Sequence, residues 1–340
     1  HNVERGTIVV AIERPLRELI ANEHGEIALE ALGQDLVSNE SADPWSVSDL
    51  IEQLDPSVRA IVTAWRSPRI DGAVLNAAPN LEIVAHAAGT VKPYYDTAVW
   101  RRGVRVTHAA PIIAEAVAEY TIGAILVGLR GFVTNHAMVV RGEWKASADN
   151  RGEIGGLLAT RRVGVIAASQ VGQRVIPLLR AFTSDIVLYD PFIDGDSARA
   201  LGVERVDLDE LMRTSDVVTM HAPVLPETRH MVGRQQLELM KPGALFVNSA
   251  RSWMVDQAAL YEVLFTGRIN AVLDVFDEEP LPAGSPFRGL PNVVLTPHVA
   301  GFTAETRSRH LTSMVEELER HFAGCPLEHE IRLEDLARMA

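Results

Sequence analysis

Short apolar runs rich in β-branched residues alternate with helical stretches along the chain, and few folds accommodate that alternation. It is the βαβ pattern of a parallel sheet, whose strands are buried on both faces and so read as continuous apolar runs. The first series of predicted strands is Ile8–Ile12, Ala60–Ala64, Leu81–Ala85 and Val104–Thr107. The second is Val163–Ala167, Ile186–Tyr189, Val217–Met220, Ala244–Val247, Asn270–Asp274 and Val293–Leu295. Between them a long predicted helix, about Ile112 to Arg130, carries Ala114, Ala116, Ala118, Gly123, Ala124 and Gly128. Small residues at helical spacing allow close approach of another helix. The stretch reads either as a core helix of one subunit or as a dimer contact. A last periodic helix, roughly Ala304 to Phe322, comes late enough to return to the first domain. The expected organisation is therefore a discontinuous first domain, residues 1–108 and 299–340, with residues 109–298 inserted as the second. The Pro/Gly-rich stretch Pro280–Pro291 reads as a surface loop.

A chain of 340 residues suits two domains, and 47% hydrophobic residues suffice for two cores. Net charge is −13 with Lys and Arg scattered, which argues against a nucleic-acid partner. The one cysteine, Cys325, excludes an internal disulfide, and no Cys/His cluster has metal-ligand spacing, so no metal is expected. No apolar run approaches the roughly 20 residues of a membrane span, and no signal peptide precedes the first strand. A cytoplasmic enzyme with no membrane partner is the expectation.

Three phrases point to the chemistry. Asn248-Ser249-Ala250-Arg251, Asp274-Val275-Phe276-Asp277-Glu278-Glu279-Pro280 and Thr296-Pro297-His298 each follow a predicted buried strand. They put an arginine, carboxylates and a histidine at or beyond strand ends, where open α/β sheets build active sites. An imidazole paired to a carboxylate beside a guanidinium can pass a proton to a carbonyl oxygen while a substrate carboxylate is gripped. Such a set suits interconversion of 2-hydroxy and 2-oxo acids. The predicted strand at Val163 is followed by Ala167-Ala168-Ser169-Gln170-Val171-Gly172 and a helical pattern, the strand–turn–helix context of a dinucleotide fingerprint. Ala167 and Ser169 stand where the first two glycines of G-x-G-x-x-G would be, and Gly172 remains. Asp190 ends the next strand, where a carboxylate binds ribose hydroxyls and repels a 2′-phosphate; Asp190-Pro191 also reads as a plain turn. With the loop, it favours NAD over NADP.

The array resembles the D-2-hydroxyacid dehydrogenase family, which includes phosphoglycerate dehydrogenases and glyoxylate/hydroxypyruvate reductases. The likeness runs from about Leu81 to Thr303 and is densest in Asp207-Leu208-Asp209-Glu210-Leu211, Leu225-Pro226-Glu227-Thr228-Arg229, Leu239-Met240-Lys241-Pro242-Gly243-Ala244 and the three phrases above. The resemblance implies two similar doubly wound parallel-sheet domains, with a Rossmann NAD domain inserted into a flavodoxin-like substrate domain. It implies that His298 is the acid/base, that Glu279 orients and charges it, and that Arg251 polarises the carbonyl and binds the carboxylate. Ser169, Gln170 and Val171 would meet the pyrophosphate and Asp190 the ribose. His221, Pro223, Thr228, Ala250, Arg251, Asp274, His298 and Gly301 complete the cofactor set, with Asp274 facing the nicotinamide. Ala88 and Gly89, in His86-Ala87-Ala88-Gly89-Thr90, would hold the substrate carboxylate with Arg251 and His298. Only the family register selects Glu279 over Glu278.

The expected function is hydride transfer between NAD(H), with NADH preferred over NADPH, and C2 of a small D-2-hydroxy or 2-oxo acid, by a homodimer. One rival is a weak or inactive NAD(H)-binding sensor on the same fold, suggested by Ala167 and Ser169. Trp253 either caps the substrate pocket or packs between domains.

Overall fold

Residues 6–21, 23–144 and 155–339 are described by a computed structural model, in which the strands form two sheets whose pairings are all parallel. The chain divides into two units, one made of His1–Ile113 and Phe302–Ala340 and the other of Ala114–Gly301. The first break falls inside the helix Ala110–Arg130, not at the predicted 108/109, and the second lies three residues beyond the predicted 298/299.

In the first unit β1 (Thr7–Val10), β2 (Asp35–Ser38), β3 (Val58–Thr63), β4 (Ile83–His86) and β5 (Arg105–His108) lie in the order β2-β1-β3-β4-β5. This is the flavodoxin-like doubly wound order, with its reversal between β1 and β3. Successive side chains go to opposite faces, so both faces are apolar. Ile8, Val10, Ala60, Val62, Ile83 and Ala85 form one core with Leu311, Met314, Val315 and Leu318. Those four lie on one stripe of the helix Ala304–Phe322, which Thr303 opens by accepting the Thr306 amide at 3.1 Å. The late helix thus belongs to the first unit. After it, the chain lies against the edge of β5: Ile331 N donates to Val106 O at 2.8 Å, and Thr107 bridges Glu330 in antiparallel fashion. Glu317, 1% exposed, ties this segment down by accepting from Thr107 Oγ1 and the amides of Glu328 and His329. The edge that β5 would offer another strand is covered.

In the second unit β6 (Val163–Ile166), β7 (Ile186–Tyr189), β8 (Glu204–Arg205), β9 (Val217–Met220), β10 (Leu245–Asn248), β11 (Asn270–Leu273) and β12 (Val293–Leu295) take the order β12-β11-β10-β9-β6-β7-β8. This is the Rossmann order with one strand added, and it reverses between β6 and β9. The helix Ala110–Arg130 is long and apolar enough by length and composition to cross a bilayer, although Glu115 and Glu119 interrupt its apolar run. Its Ala118, Ala124 and Ile125 sit in the core of the second unit. Gly128 lies so near β10 that a Cβ would come within 2.7 Å of Leu245. Ala118, Ala124 and Gly128 of this helix therefore pack within their own unit. The Pro280–Pro291 stretch is a loop, but its short 3-10 helix Pro286–Gly289 buries Phe287 against Tyr261 and Phe276.

Candidate active site

In the second unit every candidate catalytic or cofactor residue lies beyond the carboxyl end of a strand, in the turns after β6, β7, β9, β10, β11 and β12. After β6, Ala167 takes a left-handed conformation, φ 72°, which costs a residue with a Cβ about 1–2 kcal/mol. Glycine at the first fingerprint position would adopt it freely. Gly172 opens the helix Gly172–Leu179, and a Cβ there would stand 2.2 Å from Ala167 O. The retained glycine is thus the one whose hydrogen atom the close packing of helix on turn requires. Ser169 closes the turn, its carbonyl accepting from Gln173 N at 2.9 Å. Among the described residues the amides of Gln170 and Val171 reach no protein acceptor, which leaves two donors at a helix start for an anion. Asp190, 6% exposed, accepts Ala168 N on one oxygen at 2.9 Å and Phe192 N on the other at 2.8 Å. It links the ends of β6 and β7, and each oxygen keeps acceptor capacity for a ribose hydroxyl. These donors and this acceptor fit a dinucleotide.

His221, after β9, is 3% exposed and burial holds its imidazole down at about 3, so it is neutral. Its Nε2 meets Thr219 Oγ1 at 2.9 Å. Thr228 donates to Pro223 O at 2.7 Å and accepts from Leu225 N at 3.0 Å, closing the loop that carries both cofactor candidates.

Asn248, the last residue of β10, is fully buried and shapes the next turn: its Oδ1 accepts Ala250 N at 3.1 Å and its Nδ2 donates to Arg251 O at 3.0 Å. Arg251 is exposed along its side chain and donates to Ala250 O at 2.7 Å. A guanidinium so exposed stays charged. Trp253 is fixed within the unit by its Nε1 donating to Leu225 O at 2.9 Å, with the Arg229 guanidinium 5.1 Å from its ring centre.

After β11, Glu279 accepts Phe276 N on Oε1 at 2.9 Å and meets His298 Nδ1 with Oε2 at 2.6 Å. With Nδ1 turned to the carboxylate, Nε2 is the atom His298 has for a substrate. Both side chains are about a third exposed, His298 at 37% and Glu279 at 34%. His298 has φ 54°, a conformation that the surroundings must enforce. Asp274, 1% exposed, is what enforces it. Its Oδ1 accepts Thr296 Oγ1 at 2.5 Å and Val299 N at 3.0 Å, and its Oδ2 accepts Ala300 N at 2.8 Å. Tyr120 donates in turn to Thr296 Oγ1 at 2.5 Å, and Gly301 ends the segment. Sequence reading assigned Asp274 only a nicotinamide-facing place; its grip on the histidine segment, and the parts of Asn248, Thr296 and Tyr120, went unseen. An Asp that ends a buried strand directly before the acidic loop was the available signal.

Ala88 and Gly89 lie in the first unit, past the end of β4. Their carbonyls are engaged, Ala88 O by Ala109 N at 3.1 Å and Gly89 O by His108 Nδ1 at 3.0 Å. Their amides donate to no acceptor among the described residues. Below, His86 Nδ1 meets Thr63 Oγ1 at 2.9 Å, and Thr63 Oγ1 also bonds the Tyr95 hydroxyl.

Residues 122–300 match the family described as D-isomer specific 2-hydroxyacid dehydrogenase, NAD binding domain. The glyoxylate reductase of Korarchaeum cryptofilum is 36% identical over 76% of this chain and 78% of its own length. The D-3-phosphoglycerate dehydrogenase of Methanocaldococcus jannaschii is also 36% identical, over 77% of this chain and 50% of its own. The chain thus spans about half the length of that relative. A phosphoglycerate oxidoreductase from Rhizobium etli has the same fold, with a TM-score of 0.81 at 24% identity over 96% of this chain and 98% of that one. The matched stretch holds both the altered turn at Ala167 and the Arg251, Glu279 and His298 cluster, so the missing glycines do not set the sequence apart: the chain belongs to the D-isomer specific 2-hydroxyacid dehydrogenase family.

Proposed function

We propose that the protein is an NAD-dependent D-2-hydroxyacid dehydrogenase that interconverts a small 2-oxo acid and its D-2-hydroxy acid. The observation that carries this reading is the 2.6 Å contact of His298 Nδ1 with Glu279. NADH, when bound, supplies a hydride to C2 of the oxo acid. Arg251 draws electron density toward the carbonyl oxygen and pairs with the substrate carboxylate. His298 gives the proton from Nε2 to that oxygen as the C=O π bond opens. Glu279 stabilises the imidazolium before the transfer, so the charge is already in place where the transition state needs it. Asp274 keeps His298 in position through the segment Thr296–Ala300. The amides of Ala88 and Gly89, which donate to no acceptor among the described residues, are suited to hold a carboxylate.

Gln170 and Val171 would hold the pyrophosphate, Ser169 shapes their turn, and Asp190 would bind the ribose hydroxyls and disfavour NADPH. His221, Pro223, Thr228, Ala250 and Gly301 would border the cofactor. We further propose a homodimer, for which the outward-facing Phe132, Val133, Val139 and Val140 of the helix Phe132–Val140 are suited. The test is a panel of 2-oxo acids, including glyoxylate, hydroxypyruvate, pyruvate and phenylpyruvate, assayed with NADH and NADPH side by side. Oxidation of NADH by at least one acid, faster than of NADPH, is expected. Tight NADH binding without turnover of any acid would instead favour a sensor.

A further inference from the structure

β4 and β5 end side by side, with His86 opposite His108. Side chains alternate along a strand, so both rings lie on the face where Val84 and Val106 join the core. Beyond His86 the chain turns into the loop Ala87–Thr90, and two consecutive residues at the end of β5 hold that loop. Ala109 N donates to Ala88 O at 3.1 Å, and His108 Nδ1 lies 3.0 Å from Gly89 O. A carbonyl oxygen only accepts, so Nδ1 carries the proton and donates. His108 is 6% exposed, and burial holds its pKa down at about 4. The neutral ring has a single N–H, and Gly89 takes it. The backbone that carries the ring is fixed as well, since His108 N donates to His329 O at 3.3 Å in the segment laid along β5. The loop's peptide bonds are trans, so each C=O points opposite to the N–H of the next residue. Holding Ala88 O therefore aims the Gly89 amide away from β5, and holding Gly89 O aims the Thr90 amide likewise. Neither amide meets an acceptor among the described residues. Successive N–H groups turned to one side make a concave seat for an anion.

We propose that His108 is a positioning residue for the reduction: its Nδ1–H fixes the Gly89 carbonyl and so keeps the Gly89 and Thr90 amides turned to the carboxylate of the 2-oxo acid. This rests on the reading of the protein as a 2-oxo acid reductase. His108 acts through the loop and not on the reacting atoms. Glycine resists rotation of its flanking peptides less than any other residue, so the plane between Gly89 and Thr90 needs a tether outside the loop. His86, in register beside His108, does not supply one. Its Nδ1 meets Thr63 Oγ1 at 2.9 Å, and its Nε2 meets no partner among the described residues.

The experiment changes the donor and its reach. Asparagine puts an amide nitrogen where Nδ1 stands, bonded to Cγ; glutamine puts it one bond further out, and leucine supplies no donor. His108→Asn, His108→Gln and His108→Leu are compared with the parent for kcat and KM on the best 2-oxo acid with NADH. Binding of oxamate, an unreactive mimic with the same carboxylate, to the NADH-loaded protein is measured beside them. His108→Gln and His108→Leu should raise KM and the oxamate Kd about tenfold, the order of one hydrogen bond, with kcat and NADH affinity held within about twofold. His108→Asn should keep the parent values. If the leucine variant does not fold, the asparagine and glutamine pair reads the same difference. A histidine that only fills space would lower the melting temperature of the variants and leave KM and oxamate binding unmoved, which overturns the assignment. Equal loss of oxamate binding in the asparagine and glutamine variants overturns it too. Oxamate discrimination among the variants of a protein that reduces no acid would sink the proposed function alone, and an active enzyme whose KM ignores residue 108 would sink this inference alone.

Discussion

His298 and His86 each stand at the carboxyl end of a parallel strand, and their surroundings diverge from there. His298 is 37% exposed and touches a carboxylate at 2.6 Å. His86 is fully buried among Thr63, Tyr94 and Tyr95, and its pKa falls to about 3, by burial first and then by repulsion from His108. His108, buried beside it, falls to about 4 for the same leading reason. Of two imidazoles at like positions, the exposed one with a carboxylate partner can carry a proton, and the buried one, bonded to the Thr63 hydroxyl, stays neutral. Residue type alone does not distinguish them, and this is why a histidine count says little about chemistry.

The contrast breaks most visibly at His298→Ala. We expect turnover to drop about 100-fold or more with NADH affinity, read by fluorescence, retained. Unchanged turnover would put His298 in the same class as His86. Glu279→Gln keeps the size and removes the charge; an approximately tenfold loss in kcat, with an altered pH profile, is expected from one charge-assisted hydrogen bond. A shift in melting temperature alone would make Glu279 structural.

Acid sharpens the contrast from the other side. His86, His108, His221 and His310 are all depressed by burial, to about 3, about 4, about 3 and about 4. Below the ordinary histidine value of about 6.5 the unfolded chain binds protons that the folded protein refuses. The stability these groups confer is thus full above about pH 6.5 and is lost as pH falls toward their folded values, by about 1.4 kcal/mol per pH unit for each histidine. Denaturant midpoints at pH 7.5 and pH 5 should differ accordingly; equal midpoints would mean that these rings protonate in place. The smallest effect concerns backbone. Ala167 and His298 are both left-handed after strands of the second unit, but only Ala167 has a side chain that can be dispensed with. Ala167→Gly should raise stability by about 0.5–1 kcal/mol, strain relief outweighing the freedom glycine gains when unfolded. A lower midpoint in thermal or denaturant unfolding would show that the Ala167 methyl group contributes packing worth more than the strain.

The two sheets were legible because their inner strands are buried on both faces and so are written as unbroken apolar runs. What escaped were β2 and β8, one edge of each sheet. β2, Asp35–Ser38, is only partly buried, and β8 is the pair Glu204–Arg205, both exposed. Neither offers an apolar run to detect. The C-terminal segment on β5 escaped because a few hydrogen bonds hold it rather than a periodic pattern. At the site, residues with side-chain chemistry were found where they follow strands, whereas Asn248 and Thr296 act through turn hydrogen bonds that only three-dimensional proximity reveals. Glu13, 1% exposed, gave no signal at all: next to Arg14 and Pro15 it reads as a solvated helix start, and its ion-pair partner Arg66, 3.0 Å away, lies far along the chain.

The first unit is assembled from two stretches of chain separated by the whole of the second. On the ribosome, therefore, β1 to β5 emerge long before the helix Ala304–Phe322 that buries one of their faces. The part of that face left uncovered by Ile20 and Leu29 must stay wet, or be sheltered by a chaperone, while the inserted unit is translated and can close on its own. Mutations that weaken the late helix should consequently be felt first as poor yield during synthesis, and only afterwards as altered catalysis.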